Sequence, residues 1–202
     1  MSREAKESIE LKEACVRAAR EVIAERGIEN LSLRDVARKL GVSHQAPYKH
    51  YPSRDHLLAE VMRRCFEEFA AHLDGRQHFE LPEADLASLG QRYLTYAAEH
   101  PLEYRLMFGT PWPATAEHPA VAAFAVHAFD VLRGILRRMH GATASKRKRV
   151  DLDAMFIWST MHGLASILQA NVMSQLELSP KVSDETVGHA MKMVGTAMTV
   201  SR

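Results

Sequence analysis

The chain has 202 residues, 47% of them hydrophobic, and a formal net charge of +1, enough for one compact fold or for a small domain joined to a larger one. No uninterrupted apolar run reaches the roughly 18 residues of a membrane-spanning helix, and residues 1–10 are charged where a signal peptide would be apolar, so a soluble, cytoplasmic protein without a membrane partner is expected. Cys15 and Cys65 each fall in an apolar helical stripe, which argues against a disulfide scaffold or a cysteine metal cluster and for reduced core residues, with a redox-sensing pair as the alternative.

Apolar residues recur at three- and four-residue spacing along almost the whole chain, and no stretch sustains period-two alternation, so the fold class is all-α with about nine helices. Leu11, Cys15, Ala18, Ala19, Val22 and Ile23 form the first stripe, closed by Gly27 as a left-handed stop. Ser32, with Asp35 three residues on, reads as the cap of a short helix ending at Gly41. Ser43 reads as the cap of the next, running to about Tyr51. A long helix follows over 53–73, with Leu57, Leu58, Val61, Met62, Cys65, Phe66, Phe69 and Leu73 on one face. Further helices are expected at about 82–99, 101–108, 118–140, 151–174 and 183–200, separated by His100-Pro101, by the proline-rich 109–119, by Gly141 with the basic run 146–149, and by Ser179-Pro180. That basic run reads as a solvated loop, with a nucleic-acid arm as the alternative. Residues 1–56 are expected to form one domain and 57–202 a second.

The stretch LSLRDVARKLGVSHQAPYKHYPSRDHLL, residues 31–58, has the order a helix-turn-helix requires: a short helix buried through Leu33, Val36, Ala37 and Leu40, a glycine turn at Gly41, the apolar plug Val42, and a second short helix. The exposed first turn of that second helix would consist of His44, Gln45 and Ala46. Gln pairs bidentately with adenine and His donates or accepts at a base edge, so these three are the candidates for reading bases of double-stranded DNA. Ser32, Ser43, Tyr48, Lys49, His50 and Arg54 are the candidates for phosphate contact, which sets register and carries no sequence information. Tyr51 reads instead as a packing residue. Residues 32–56 hold Arg34, Arg38, Lys39, Lys49 and Arg54 against Asp35 and Asp55, a local basic excess that the whole-chain charge conceals.

The spacing of Gly41-Val42-Ser43, Tyr48, His50-Tyr51, Ser53-Arg54 and Leu57-Leu58 resembles the DNA-binding domain of the tetracycline-repressor (TetR) family over about residues 10–60. The resemblance implies phosphate contacts at the positions of Tyr48, His50 and Arg54 and base approach at those of His44, Gln45 and Ala46. Pro47 departs from the aliphatic residue common there, and a proline at that point bends or tightens the start of a helix. The fragments HPLEYRLMFG (100–109) and WSTMHG (158–163) resemble a branch of the family whose C-terminal domain is marked by a tryptophan, a histidine and a glycine.

In the C-terminal half, Met107, Phe108, Trp112, Phe124, Phe129, Trp158 and His162 are the candidates for an effector pocket, which a soft aromatic lining suits to a hydrophobic or aromatic small molecule. Trp158 and His162 share a helix face, and Gly163 beside them would let a neighbouring helix approach; His162 reads first as a core histidine holding two helices together, with a polar contact in an effector pocket as the alternative. Small residues in the last two helices, Gly163, Ala165, Gly188, Ala190, Gly195 and Ala197, suggest a four-helix homodimer interface. The sequence therefore suggests a dimeric repressor released from a palindromic operator by an effector. A constitutive DNA-binding protein, a metal-responsive regulator using His118, His127 or His162, and a purely structural helical adaptor are the other readings. No catalytic constellation, cofactor motif or metal-ligand grouping is evident, so no enzyme activity, cofactor or metal is expected.

Overall fold

The computed structural model describes residues 3–113, 118–141 and 143–200, with the backbone alone at 3, 4, 144, 145, 199 and 200. Among the described residues there are eight α-helices and no strand: α1 (Arg3–Arg26), α2 (Leu33–Leu40), α3 (Arg54–Asp74), α4 (Pro82–Glu99), α5 (Pro101–Phe108), α6 (Pro119–His140), α7 (Ala144–Gln169) and α8 (Pro180–Val200). Short 3-10 turns lie at Ile28–Asn30, Pro47–Lys49 and Val172–Gln175.

The ninth expected helix, 43–51, is not an α-helix. Pro47 has no N–H to give the Ser43 carbonyl, so that carbonyl takes Ala46 N–H instead, at 3.0 Å, and the backbone proceeds through a turn into the 3-10 segment. The Ser43 side chain is not its cap, since Ala46 holds the N-cap position without a side-chain hydrogen bond. Near the C-terminus, α7 starts about seven residues before the expected 151 and absorbs the basic run 146–149. Lys and Arg are good helix formers, and Arg149 pairs with Asp153 one turn on at 3.4 Å. The same helix stops at Gln169, short of the expected 174, because Asn171 turns left-handed at φ 51°. Pro180 opens α8 at a first-turn position that needs no amide hydrogen, three residues earlier than expected.

The chain divides into two compact units, Met1–Glu67 with Arg105–Phe124, and Glu68–Tyr104 with Ala125–Arg202; α3, α5 and α6 contribute residues to both. In the first unit α1 buries Cys15, Val16, Ala18, Ala19, Val22 and Ile23, and α2 packs on it through Leu33, Val36 and Ala37. Each of the valine, leucine and isoleucine side chains among these contributes about 1.5–3 kcal/mol by its burial. Neither Cys15 nor Cys65 is in a disulfide; both side chains are wholly buried, and burial raises the pKa of Cys15. Ser32 caps α2 by accepting the Asp35 amide at 3.1 Å, while its hydroxyl donates to the Asp35 carboxylate. At the other end Gly41 is left-handed (φ 67°, ψ 26°); its amide reaches the Arg38 carbonyl at 3.2 Å and the Val42 amide reaches Ala37 at 3.1 Å, a Schellman closure. Gly27 also has a positive φ of 83°, but its ψ of 161° places it outside the expected left-handed helical well, because the chain leaves α1 extended before the 3-10 turn.

The second unit is centred on Leu86, Leu89, Leu94 and Ala97 of α4, Ile157, Met161 and Leu164 of α7, and Val194 and Met198 of α8. The wholly buried carboxylate of Asp85 receives Arg76 Nε at 3.0 Å and a guanidinium nitrogen of Arg138, whose other nitrogen donates to the carbonyls of Phe79 (2.7 Å) and Glu80 (2.8 Å). That pairing compensates a charge that would be costly to leave buried alone. By length and composition α6 is apolar enough to cross a membrane, its best 18-residue window having a mean hydropathy of 1.5. Its apolar residues include Val121, Leu132, Ile135 and Leu136, all buried in the protein, and its last turns carry Arg133, Arg137 and Arg138.

Two glycines separate strain from space. Gly41→Ala forces a Cβ into a left-handed backbone and is expected to lower the unfolding free energy by about 1–2 kcal/mol. Gly134→Ala, inside α6 with nothing within 4 Å of the added methyl, is expected to raise it by about 0.5–1 kcal/mol. Urea unfolding of both variants checks the opposite signs.

Candidate nucleic-acid interface

Between the Gly41 cap and the Pro47 turn, Ser43, His44 and Gln45 are exposed and Ala46 is half-buried, while Pro47 is buried beneath them. The amides of Lys49 and His50 return to the carbonyls of Ala46 (3.3 Å) and Pro47 (3.0 Å), and that of Tyr51 to Pro47 (2.9 Å), so the segment is a closed knuckle. Tyr51 pins its far end: the ring is buried and the hydroxyl donates to the Lys12 carbonyl of α1 at 3.2 Å. Tyr48, 43% exposed, and Lys49 stand on the outer side, with His50 half-buried.

The six phosphate candidates thus fall into two groups. Ser43, Tyr48 and Lys49 lie exposed on the knuckle, and His50 lies there half-buried. Ser32 and Arg54 are occupied within the protein, Ser32 as the α2 cap and Arg54 as a clamp donating from Nη2 to the Ile28 carbonyl (2.7 Å), from Nε to that of Leu31 (3.1 Å) and from Nη1 to Asp55 (3.2 Å). Neither carbonyl could be matched to Arg54 from spacing alone, since the partners are more than twenty positions away.

The basic excess is also partly consumed. Lys39 is held by Glu25 at 2.6 Å and Glu21 at 3.1 Å on α1, and these hydrogen bonds raise its pKa. Asp35 takes Arg38 at 2.8 Å and Arg26 at 3.4 Å; its pKa is lowered first by the Ser32 hydrogen bond and then, against its desolvation, by the two arginines. Arg34 and Lys49 remain exposed without an acidic partner among the described residues. Arg34 was not among the sequence candidates; its position in the first turn of α2, beside the Ser32 cap, is the signal that marks it.

The effector candidates separate by unit. In the first, Met107 is buried, Trp112 donates its indole N–H to the Met107 carbonyl at 2.9 Å, Phe108 and Trp112 pack edge-on to Phe66, and Phe124 lies 5.7 Å from the Arg63 guanidinium carbon. In the second, Phe129 meets Trp158 edge-on at 6.2 Å and Trp158 lies 6.0 Å from His162. There the indole of Trp158, which can only donate, hydrogen-bonds the Tyr93 hydroxyl; Tyr93 and Tyr104 hydroxyls are 2.7 Å apart, and Tyr104 is 2.7 Å from His162 Nδ1. The direction Trp158 to Tyr93 to Tyr104 to His162 satisfies every proton and requires an unprotonated Nδ1. Burial accordingly lowers the His162 pKa, raises that of Tyr93 to about 12, and raises that of Tyr104 further. A Cβ at Gly163 would meet nothing within 4 Å, so among the described residues no helix makes the close approach expected there.

No group of three or more His, Cys, Asp or Glu in a metal-binding arrangement occurs among the described residues, and His118, His127 and His162 have separate surroundings: the His56 ring, the Asp74 carboxylate at 2.8 Å, and Tyr104.

These features define a helix-turn-helix protein with a second helical unit. Residues 86–194 match the family description "Tetracyclin repressor-like, C-terminal domain", and residues 16–61 match "Bacterial regulatory proteins, tetR family". The chain belongs to the tetR family of bacterial regulatory proteins. The HTH-type transcriptional regulators Rv1816 of Mycobacterium tuberculosis (strain ATCC 25618 / H37Rv) and Mb1846 of Mycobacterium bovis are each 29% identical over 143 residues, 69% of this chain; the match takes in 56% of their length, so the chain spans little more than half of these relatives. Among solved structures, SCO4313 superposes with a TM-score of 0.78 at 22% identity, covering 96% of this chain and 98% of that one. PfmR, a TetR family transcriptional regulator from Thermus thermophilus, gives 0.61 at 19%, covering 89% and 96%. At such identities the likeness is one of fold.

The buried array carries a pH signature. Because burial holds the folded-state pKa of His162 below the ordinary 6.5, its contribution to stability is complete above about pH 6.5 and is lost as the pH falls through the folded value, where the unfolded chain binds a proton that the folded chain excludes. NMR titration of the imidazole should give a midpoint below 6.5. His162→Gln should flatten the loss of unfolding free energy between about pH 7 and pH 5.

Proposed function

We propose that this chain is a transcriptional repressor, acting in the cytoplasm, that binds a palindromic operator as a homodimer and is released by a small hydrophobic or aromatic effector. The observation that carries the DNA reading is the turn of exposed His44 and Gln45 with half-buried Ala46, set between the Gly41 cap and the Pro47–Lys49 turn, in a chain of a regulatory family. In this reading Gln45 and His44 meet base edges in the major groove and Ala46 offers its methyl group. Tyr48, Lys49, His50 and Ser43 face phosphates, joined by Arg34, whereas Arg54 and Ser32 hold the elements that present them.

The dimer is supported by apolar side chains on α7 and α8 that the described residues leave exposed. On α7, Leu152 (60% exposed), Met155 and Phe156 lie open, and on α8 so do Val182 and Met193 (54% exposed). Open space beside Gly163, Gly188 and Gly195 leaves room for the backbone of a second copy. Phe129, Trp158 and His162 are the effector residues favoured in the second unit, with Met107, Phe108, Trp112 and Phe124 in the first. Release needs only that the effector favour one conformer by about 1–3 kcal/mol, and α3, continuous through both units, is the covalent route for that preference.

Fluorescence anisotropy with a bound duplex tests the assignments. Lys49→Ala and Tyr48→Ala should weaken binding similarly on all sequences, Lys49→Ala reducing the salt slope by about 1, whereas Gln45→Ala should cost about 1–3 kcal/mol on the preferred sequence and little on others. Equal loss on every sequence for Gln45→Ala would remove it from base reading. Phe156→Glu should convert a dimer in sedimentation to a monomer with unchanged helix content; an unaltered dimer would place the interface elsewhere.

A further inference from the structure

Within the first unit a cavity of about 270 Å³ opens to solvent beside the knuckle, lined by the middle of α1, the N-terminal half of α3 and the start of α6. Its size falls just below the roughly 300–1,000 Å³ of sites for drug-sized ligands, so it suits a compact molecule. Its apolar lining comes from Ala59, Pro119, Ala120 and Val121, of which Pro119 and Ala120 are exposed. Its polar lining includes the donors Lys12, His50, His56, Arg63 and His118. The acid that lines it, Glu60, is covered: Arg63 takes both its oxygens at 2.8 Å each and Arg64 adds a third bond at 3.0 Å. Burial pushes Glu60 up, but these arginines outweigh it and hold it ionised and satisfied.

The remaining donors are less committed. Lys12 has no acidic partner among the described residues. Ser53 Oγ accepts the His56 amide at 3.3 Å and lies 2.8 Å from Nδ1, so this hydroxyl fixes the orientation of the ring and engages Nδ1 rather than Nε2. The His118 ring stands edge-on to His56, centroids 4.9 Å apart, so the two imidazoles form one corner of the cavity.

We propose that this cavity binds a small aromatic carboxylate, its ring against Ala59, Pro119 and Val121 and its anionic end toward Lys12 and the His56–His118 corner. An inorganic anion would leave the apolar lining wet, and a neutral aromatic would make no charge-assisted hydrogen bond to Lys12. Tyr51 and His50, which close the knuckle, also line the cavity, so occupancy reaches the proposed DNA-reading segment directly and does not depend on the Phe129–Trp158–His162 group. Binding itself does not rest on the DNA reading and is tested without DNA.

The experiment is a titration of the full chain with sodium benzoate, followed by NMR of the histidine side chains, with benzamide and acetate as the neutral and ring-less controls. Saturable shifts at His56 and His118 with a Kd of about 1 mM are expected, consistent with so few ligand atoms. Benzamide and acetate should each bind about tenfold more weakly, and Lys12→Ala should weaken benzoate about tenfold. His118→Ala should have a similar effect; if that variant loses its cooperative melt, Lys12→Ala, at an exposed site, carries the test. Absence of saturable shifts, equal binding of benzamide or acetate, or benzoate affinity unchanged in Lys12→Ala would overturn the proposal.

Discussion

A missing amide hydrogen at position 47 shapes everything the N-terminal unit presents. With no donor for the Ser43 carbonyl, an ordinary recognition helix cannot begin there, and the backbone takes 3-10 bonds through Ala46 and Pro47 instead. Such a short turn has no stability of its own. It persists because both ends are fixed, by the Schellman closure at Gly41 and Val42 before it and by the buried Tyr51 bonded to α1 after it. The residues left facing outward are therefore few and set, His44 and Gln45 foremost.

The same division between holding and presenting explains the charges. Most of the basic groups around the turn are not surface charge in waiting: Arg54 ties the start of α3 to the Ile28–Asn30 turn, Lys39 ties α2 to α1, and Arg38 serves Asp35. Exposed ion pairs of this kind contribute little each, yet together they fix orientation. In the second unit the Trp158–Tyr93–Tyr104–His162 series has the corresponding role. Its members come from α4, α5 and α7, so the tryptophan and histidine of 158–163 join three helices through Tyr104, which lies in the other family-like fragment, and Tyr93, which lies in neither.

The sequence made the all-helical class, the α2 cap at Ser32, the Gly41 stop and the buried faces of α1, α2 and α3 legible, because each depends on residues within a few positions of one another. It also flagged Pro47 as the point where the reading segment would tighten. What it did not disclose depends on distance along the chain. The acceptors of Arg54, the satisfaction of Asp85 by Arg76 and Arg138, and the tyrosines between Trp158 and His162 are set by tertiary packing. The effector candidates were gathered by residue type, and that criterion mixed two aromatic groups which belong to different units.

The central claim, that paired copies of the 43–50 knuckle read double-stranded DNA, meets its most direct test in sequencing the duplexes that the purified chain enriches from a randomised library at moderate salt. The account predicts an inverted repeat whose half-sites lie about one helical turn, roughly 34 Å, or a multiple of it, apart. A library that returns no enriched motif, or only an asymmetric one, would contradict it.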